Sequence, residues 1–191
     1  DNLSFDLEEK SYTVLAGVNG SGKSTVSRII AGLLEPASGS VSVRGGFRIG
    51  IVFQSPKDQI ICSVVERDTA FGPKNQGLSK TEVESVSSAS LSAVGLLSYA
   101  SRRSLSLSLG QTQKLALAGI IGMNPDVLIL DEALSMLDPF SRREIFDFLD
   151  DFHKKGKTIL HVSHESEAVF RAEKIIMMGK GRLLWQPKRF S

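Results

Sequence analysis

Residues 12–25 read Tyr12-Thr13-Val14-Leu15-Ala16-Gly17-Val18-Asn19-Gly20-Ser21-Gly22-Lys23-Ser24-Thr25, and this stretch decides the fold. Its first five residues are apolar or β-branched, which predicts a short buried strand. A glycine-rich loop follows, and residues 23–34 carry apolar side chains every three or four positions, which predicts a helix with Gly32 and Pro36 at or close to its end. This order predicts an anion-binding cradle, because glycine lets successive N–H groups turn inward and the helix N-terminus adds a positive dipole.

The loop fits the pattern G-x-x-x-x-G-K-[ST], which is typical of a loop that binds nucleotide phosphates. The pattern places Lys23 to reach the β and γ phosphates, the Ser24 hydroxyl to bind Mg²⁺ and Thr25 to reach the α phosphate. The alternative is a plain glycine turn with an exposed lysine, and the strand–loop–helix context disfavours it. The predicted nucleotide-binding residues here are Gly17, Val18, Asn19, Gly20, Ser21, Gly22, Lys23, Ser24 and Thr25.

A second motif places two acids after an apolar run. Residues 127–130 are Val-Leu-Ile-Leu, which predicts a strand buried on both faces, and Asp131 and Glu132 follow. In a parallel sheet the carboxyl ends of the strands face the ligand crevice. Asp131 is therefore predicted beside the metal, usually through water, and Glu132 where it can polarise an attacking water. Two solvated acids that open a turn are the alternative.

Outward from these motifs, predicted strands alternate with predicted helices, which indicates an α/β fold with a mainly parallel sheet. Residues 56–108 differ, because they lack strong strands and are rich in serine after Ser79. A helical stripe through this tract favours a small helical subdomain over a flexible linker. We therefore predict one domain, with a core of residues 1–55 and 109–191 and a helical subdomain of residues 56–108. The other predicted strands are residues 3–7, 41–43, 49–53, 158–162, 174–178 and 182–185, and the other helices are residues 111–123, 140–152 and 166–172.

Composition excludes several classes. The 191 residues are 41% hydrophobic and 23% charged, which is ordinary for a globular protein and argues against intrinsic disorder. A net charge of +2 gives no large basic field, so we expect no nucleic-acid partner. The longest apolar run, residues 115–123, is too short for a membrane-spanning helix of about 20 residues. The lone Cys62 suits a reducing compartment.

The order of further motifs resembles the nucleotide-binding subunit of an ABC transporter, which has a RecA-like P-loop NTPase core. Gln54, at a predicted strand end, is similar to the Q-loop glutamine, and residues 107–111, Leu-Ser-Leu-Gly-Gln, resemble the LSGGQ signature. Ser135 and Asp138 resemble the D-loop, and His164 resembles the switch histidine. His161 and His153 have no such support and are interpreted as structural or surface residues.

The resemblance implies an ATPase in which two subunits sandwich two ATP molecules. Each site would combine the phosphate loop of one subunit with the signature of the other. Lys23, Glu132 and His164 are then the predicted catalytic residues, and Gln54 joins the ATP-binding set. The implied metal ligands are Ser24, Gln54 and Asp131, and the implied signature contacts to the partner's ATP are Leu107, Ser108, Leu109, Gly110 and Gln111.

A narrower resemblance is to the energy-coupling-factor (ECF) type of ABC importer, which takes up vitamins, cobalt or nickel. It rests on residues 52–59, 70–75 and 131–139. It implies a second ABC ATPase subunit, either the same chain or a paralogue, a transmembrane coupling protein and a substrate-capture membrane protein. The expected location is peripheral, on the cytoplasmic face of the cell membrane. Residues 54–75 would line the groove for the coupling helices, where Arg67 and Lys74 replace acids common in this type.

The sequence departs from the family pattern at the signature, where Leu109 replaces the middle glycine. A side chain there is expected to narrow the backbone angles and to crowd the nucleotide interface. This favours an alternative function, a non-hydrolysing nucleotide-binding regulatory partner in an asymmetric ATPase pair. Glu132 and His164 argue against it. Two further family features fall outside this sequence, an early aromatic that stacks on adenine and a C-terminal dimerisation region, so we expect a trimmed or minimal chain.

Overall fold

The computed structural model describes residues 3–185, which form six strands and six α-helices joined by loops and short 3₁₀ turns. The strands are β1 Tyr12–Gly17, β2 Ile49–Phe53, β3 Val127–Asp131, β4 Thr158–Val162, β5 Lys174–Gly179 and β6 Arg182–Trp185. The helices are α1 Lys23–Ile30, α2 Val65–Asn75, α3 Lys80–Ala93, α4 Leu109–Ile121, α5 Pro139–Lys154 and α6 Ser166–Arg171.

The strands form one sheet in the order β2-β3-β4-β1-β5-β6. All neighbours are parallel except β5 and β6, which form an antiparallel hairpin at one edge. The predicted α/β class with a mainly parallel sheet is confirmed.

Two apolar clusters lie on the two faces of this sheet. Successive residues of a strand point to opposite faces, so Leu128 and Leu130 join the cluster that contains Phe146 of α5. Ile129 joins the other cluster, against which Val26 of α1 packs. Helices on both faces bury β3 and β4 completely, which agrees with the all-apolar residues 127–130 of β3 and with the mainly apolar sequence of β4.

The helical region holds α2 and α3, and the serine-rich residues after Ser79 form α3. Its N-terminus has a capping box, in which Ser79 and Glu82 satisfy each other's backbone N–H groups. Both helices pack on α4. The predicted division at residue 108 stays a prediction, and it would separate α4 from the two helices that it contacts. Within residues 3–185, no helix has the length and apolarity that crossing a membrane requires.

Two predicted strands are absent, and several predicted helix ends are wrong. Residues 3–7 and 41–43 form no strand. Leu3, Phe5 and Leu7 pack against a face of the sheet without backbone pairing, whereas Val41 and Val43 are exposed. Helix α1 ends at Ile30 rather than residue 34, and α4 begins at Leu109 rather than residue 111. Gly32 adopts a left-handed conformation just after α1, and the side chain of Ser108 caps α4.

Candidate nucleotide-binding site

The parallel strands end together at one edge of the sheet. Phe53 of β2 is in register with Asp131 of β3, and Asp131 is in register with Val162 of β4. Val162 is in turn in register with Leu15 of β1. Such an edge is where open α/β sheets bind ligands. The predicted site residues that follow these strand ends are Gln54, Asp131, Glu132, His164 and loop residues 17–25.

The phosphate loop is attached to the edge of the sheet by close backbone packing. A Cβ at Gly17 would overlap the carbonyl oxygen of Met178 on β5, so only glycine fits there. The turn between β5 and β6 donates an amide to the Ser21 carbonyl at 3.1 Å. Gly22, with φ of +98°, is the N-cap residue of α1. The loop therefore presents the N-terminus of α1 at the strand ends, as an anion cradle requires.

Lys23 lies at the centre of the loop. Its ammonium is 4% exposed and donates to the carbonyl oxygens of Gly17 at 2.9 Å and Val18 at 3.2 Å. The same Nζ is 3.6 Å from Oε1 of Glu132. The structure thus brings together two of the three predicted catalytic side chains.

The Ser24 hydroxyl donates to Oδ1 of Asp131 at 2.8 Å. Burial raises the pKa of the Asp131 carboxyl, which the hydrogen bond from Ser24 and the positive charge of Arg28 partly offset. Hydroxyl and carboxylate oxygens are the donors that Mg²⁺ prefers, so these adjacent residues fit a magnesium ion that also binds phosphate. Within residues 3–185, no group of three or more His, Cys, Asp and Glu side chains is arranged to hold a metal alone.

Glu132 has an unusual backbone conformation, with φ of +52°. Its N–H donates to the Val162 carbonyl at 3.0 Å, and its own carbonyl accepts the Ser135 hydroxyl at 2.8 Å. A left-handed non-glycine residue is strained and persists only where its surroundings hold it. Here the bonds to Val162 and Ser135 hold the residue, and its carboxylate stays near Lys23.

Gln54 follows β2 and is exposed. The end of β2 is held by two glutamines that the sequence analysis did not select. The side-chain amide of Gln59 bonds to β2 as the backbone of a neighbouring strand would. Its oxygen accepts from Phe53 N–H at 2.7 Å, and its nitrogen donates to the Ile51 carbonyl at 2.9 Å. Gln113 of α4 donates to the Phe53 carbonyl at 3.1 Å. The sequence shows a glutamine shortly after β2, but residue spacing does not reveal which backbone groups a glutamine side chain will bond.

His164 is exposed and lies in the short segment between β4 and α6. The residues on either side of it are fixed: Ser163 N–H donates to the Leu15 carbonyl at 3.3 Å, and Glu165 N–H donates to the Ser163 hydroxyl at 3.0 Å. The structure places His164 on the predicted edge without bonding it to Glu132. The position fits a switch residue, and the role remains a prediction.

The signature segment begins α4. Ser108 is the N-cap, and its hydroxyl and N–H exchange hydrogen bonds with Gln111 in a capping box. Leu109 is the first helical residue, and it does not have the positive φ that favours glycine. The expected backbone conflict at Leu109 is therefore wrong, because a helical position accepts any side chain. The side chain itself is 41% exposed, so its bulk faces outward.

The signature packs against the D-loop segment of its own chain. Asp138 caps α5 by accepting from Ser141 N–H at 3.0 Å. A Cβ at Gly110 would lie 3.3 Å from Ser141 Oγ and 3.6 Å from an Asp138 carboxylate oxygen. Within residues 3–185, the hydrogen bonds of the signature join it to α4 and to the preceding turn at Ser104, and not to the phosphate loop.

One charged residue near the site escaped the sequence analysis. Arg142 of α5 donates to the Leu137 carbonyl at 3.0 Å and lies 3.3 Å from Oε1 of Glu165. It therefore contacts both the segment that carries Asp138 and the segment that carries His164. Its position one helical turn after the Asp138 cap could have drawn attention to this arginine in the sequence.

Tyr12 and His161 form a buried polar pair. The Tyr12 hydroxyl and Nδ1 of His161 are 2.9 Å apart, and both side chains are at most 1% exposed. Tyr12 is therefore part of the core and cannot stack on a base. Burial lowers the pKa of His161 to about 3, so its ring is neutral.

Known protein families and sequences were compared with this chain. The family model described as ABC transporter matches residues 1–135. An energy-coupling factor transporter ATP-binding protein of Mycoplasma pneumoniae is 36% identical, over 98% of this chain and 72% of the relative. One of Methanosarcina acetivorans is 40% identical, over 96% of this chain and 71% of the relative.

Solved structures agree in fold. The cbiO1 protein of Clostridium perfringens, described as part of the ABC transporter complex cbiONQ, has a TM-score of 0.83 and 31% identity, over 96% of this chain and 79% of that chain. A dimeric bacterial ABC transporter cassette has a TM-score of 0.88 at 24% identity, over 100% of this chain and 90% of that chain, which is a likeness of fold alone.

The fold and the site thus define a nucleotide-binding ATPase with a phosphate loop. The chain belongs to the ABC transporter family, and within it to the energy-coupling-factor type of ATP-binding protein. Both resemblances seen in the sequence are confirmed.

Proposed function

We propose that this chain binds and hydrolyses ATP as a motor subunit of an ECF-type importer. One observation carries the proposal: parallel strands in register place the phosphate loop, the buried Asp131, Glu132 and the His164 segment at one edge of the sheet. A protein that only binds nucleotide needs the loop but not a carboxylate held 3.6 Å from its lysine. The geometry therefore supports hydrolysis as well as binding.

Each side chain has a role in phosphoryl transfer. The loop N–H groups and Lys23 offset the charge of the β and γ phosphates. Ser24, Asp131 and Gln54 would hold Mg²⁺, which, when bound, neutralises phosphate charge. Glu132 and His164 position the attacking water, and Glu132 accepts its proton.

We propose that two subunits act together, with the signature of each facing the ATP on the other. The capping box leaves Ser108 at the N-terminus of α4, where the helix dipole favours an anion. Whether the second subunit is the same chain or a paralogue is an outcome of the experiment below.

The membrane partners would be a transmembrane coupling protein and a substrate-capture protein. A groove of about 660 Å³ lies between α2 and α3, and it supports the coupling contact. Arg67, Lys74 and Lys80 line it together with Glu66 and Glu84, so it presents both signs of charge to a partner. With such partners the proposed location is peripheral, on the cytoplasmic face of the membrane, and the proposed cargo is a vitamin, cobalt or nickel.

A regulatory, non-hydrolysing partner remains the second candidate, and Leu109 is the observation that favours it. Its exposed side chain enlarges the surface that would meet the partner's nucleotide. The intact Glu132 and His164 favour the motor over the regulatory partner.

The test is the sedimentation mass and ATP turnover of Glu132→Gln protein with and without Mg-ATP. Loss of the base is expected to lower turnover by about 100- to 10,000-fold and to trap a closed dimer. Lys23→Ala is the matched control, which should neither bind ATP nor dimerise. A monomer with ATP bound would point to a paralogue as the second subunit, and wild-type protein without turnover alongside its partners would favour the regulatory function.

A further inference from the structure

Arg142 contacts two segments that have different proposed roles, the D-loop segment and the segment that carries His164. Its Nη2 donates to the carbonyl oxygen of Leu137, the residue before Asp138. Its Nη1 is 3.3 Å from Oε1 of Glu165, the residue after His164. One guanidinium therefore fixes the end of the D-loop segment and the start of the segment beyond the switch histidine.

The ion pair leaves one donor and one acceptor without a partner. Nε of Arg142 and Oε2 of Glu165 are both buried, and neither has a hydrogen-bond partner within residues 3–185. An arginine and a carboxylate can form two parallel hydrogen bonds, and here they form one contact. Both two-point edges of a guanidinium include Nη2, so a two-point contact with Glu165 would require Nη2 to leave the Leu137 carbonyl. The pair therefore has two arrangements, and the stronger contact to Glu165 releases the end of the D-loop segment.

The contacts extend from Arg142 toward the signature. A Cβ at Gly110 would lie against Ser141, the residue before Arg142 on α5, and near Asp138, which caps α5 one turn before Arg142. Ser141 N–H and the Asp138 carboxylate close the first turn of α5, so this end of the helix moves as a unit. A displacement of the signature when it meets the partner's nucleotide would therefore reach Arg142 through rigid contacts.

Beyond the ion pair with Arg142, the backbone of Glu165 is fixed by hydrogen bonds on both sides of the segment that carries His164. Its N–H is bound to the Ser163 hydroxyl and its carbonyl accepts from Val169 N–H at 3.2 Å. His164 lies between the two bonded residues, so a pull on the Glu165 side chain alters its position.

We propose that Arg142 is a positioning residue that couples signature engagement at one ATP site to the placement of His164 at the other. The inference rests on the proposed function, because it assumes the two-site sandwich. It concerns regulation of hydrolysis and not nucleotide binding, since Arg142 contacts no residue of the phosphate loop within residues 3–185. Coupling energies of this kind correspond to changes of about 2- to 30-fold.

The first experiment measures ATP turnover by the assembled complex with Arg142→Met, Arg142→Lys and Glu165→Gln. We expect Arg142→Met to lower kcat about tenfold with KM for ATP unchanged, and Arg142→Lys to recover part of the loss. The double variant Arg142→Met/Glu165→Gln should be no slower than the slower single variant, because both remove one interaction. Arg143→Met is the matched control, an exposed arginine next in the chain, and it should keep the wild-type kcat.

The second experiment needs no hydrolysis and separates this inference from the proposed function. Arg142→Met, and not Arg143→Met, should speed amide hydrogen exchange in peptides covering residues 137–138 and 163–166. Addition of Mg-ATP should slow this exchange in wild type and not in Arg142→Met. Unchanged exchange, a kcat within twofold of wild type, or multiplicative effects of Arg142→Met and Glu165→Gln would each overturn the coupling role. Loss of turnover in wild type with altered exchange in Arg142→Met would overturn the proposed function alone.

Discussion

Asp131 illustrates a conflict between stability and function at a single residue. The carboxylate is 4% exposed, and burial raises its pKa above the ordinary value of 3.8. An acid with a raised folded-state pKa stabilises the fold below the ordinary pKa and loses that stability as pH rises through the folded-state pKa. At neutral pH the ionised Asp131 therefore destabilises the protein, while its charge is what Mg²⁺ coordination requires.

We expect Asp131→Asn to raise the thermal unfolding midpoint at pH 7 and to lower ATP turnover at least about 100-fold. The amide oxygen can still accept the Ser24 hydrogen bond, so the gain in stability comes from removing the buried charge. The gain should shrink as the pH falls toward 3.8. Calorimetry at several pH values with a turnover assay checks both effects.

Asp126→Asn is the control for the sign of this effect. The Arg48 N–H and then the Lys157 charge lower the pKa of Asp126, so its charged form stabilises the fold above pH 3.8. The same change of residue should therefore lower the unfolding midpoint at pH 7, and this loss should disappear in acid. Equal effects of the two substitutions would contradict the assignment of Asp131 as a destabilised charge.

Leu109 carries the second prediction at this scale. Because its backbone is helical, the remaining difference from glycine is side-chain bulk. Leu109→Gly and Leu109→Ala should then raise ATP turnover in the assembled complex to a similar extent. A gain with glycine alone would point to backbone freedom instead, and no gain with either would show that Leu109 does not restrain the motor.

At the scale of elements, β4 holds a histidine whose neutrality the fold enforces. His161 pairs with the Tyr12 hydroxyl, and burial lowers its pKa from 6.5 to about 3. A histidine with a lowered folded-state pKa stabilises the fold above pH 6.5 and loses that stability as the pH falls toward 3. The loss for one proton is about 1.4 kcal/mol per pH unit.

We therefore expect His161→Gln to flatten the pH dependence of the free energy of unfolding between pH 6 and pH 4 by about 1.4 kcal/mol per unit. Glutamine can keep a hydrogen bond to Tyr12 but cannot become charged. Urea unfolding at pH 7, 6, 5 and 4 measures the slope, and His153→Gln, a partly exposed histidine, is the matched control. Identical slopes in wild type and His161→Gln would contradict the prediction.

The same scale shows what sequence patterns can and cannot predict. Strands β1 to β4 are predictable from the sequence because each is largely buried on both faces or comes directly before a strong motif. The alternation of residues 3–7 predicts one buried face correctly, since Leu3, Phe5 and Leu7 do pack on the sheet, but backbone pairing depends on a neighbouring edge that alternation does not reveal. Gly32 indicates the end of α1 to within two residues, whereas the start of α4 differs from the prediction because apolar periodicity does not detect the Ser108 cap.

At the scale of the whole molecule, the site depends on sheet order. Asp131 is 108 residues from Lys23 in sequence, and its contact with Ser24 follows from the order in which strands pair. The motifs predict which residues belong to the site, because each follows a strand. Links through side chains of distant helices, such as Arg142 with Glu165 or Gln113 with β2, are not predictable, since spacing encodes no partner for them.

The sandwich makes a prediction that only mixed subunits can test. Lys23→Ala disables a phosphate loop, and Ser108→Asp disables a signature while keeping a good N-cap, because aspartate caps helices as well as serine does but repels phosphate. Each variant alone should lose turnover. In a mixed dimer the Ser108→Asp chain supplies an intact loop and the Lys23→Ala chain an intact signature, so one of the two sites is complete. Half of the dimers in an equal mixture are mixed, so turnover should recover to about a quarter of wild type if the two sites act independently.

Recovery near that value would show that this chain pairs with itself and that neither site needs the other. No recovery, with mixed dimers present by sedimentation, would mean that both sites must engage ATP together. The link through Arg142 accounts for such a requirement, because the signature of the Ser108→Asp chain then fails to place its own His164. Adding Arg142→Met to that chain separates the two explanations. Because Arg142→Met itself lowers kcat about tenfold, turnover in the mixture should rise only to about a fortieth of wild type if the link transmits the defect. Turnover should stay absent if ATP hydrolysis at either site requires both sites to close.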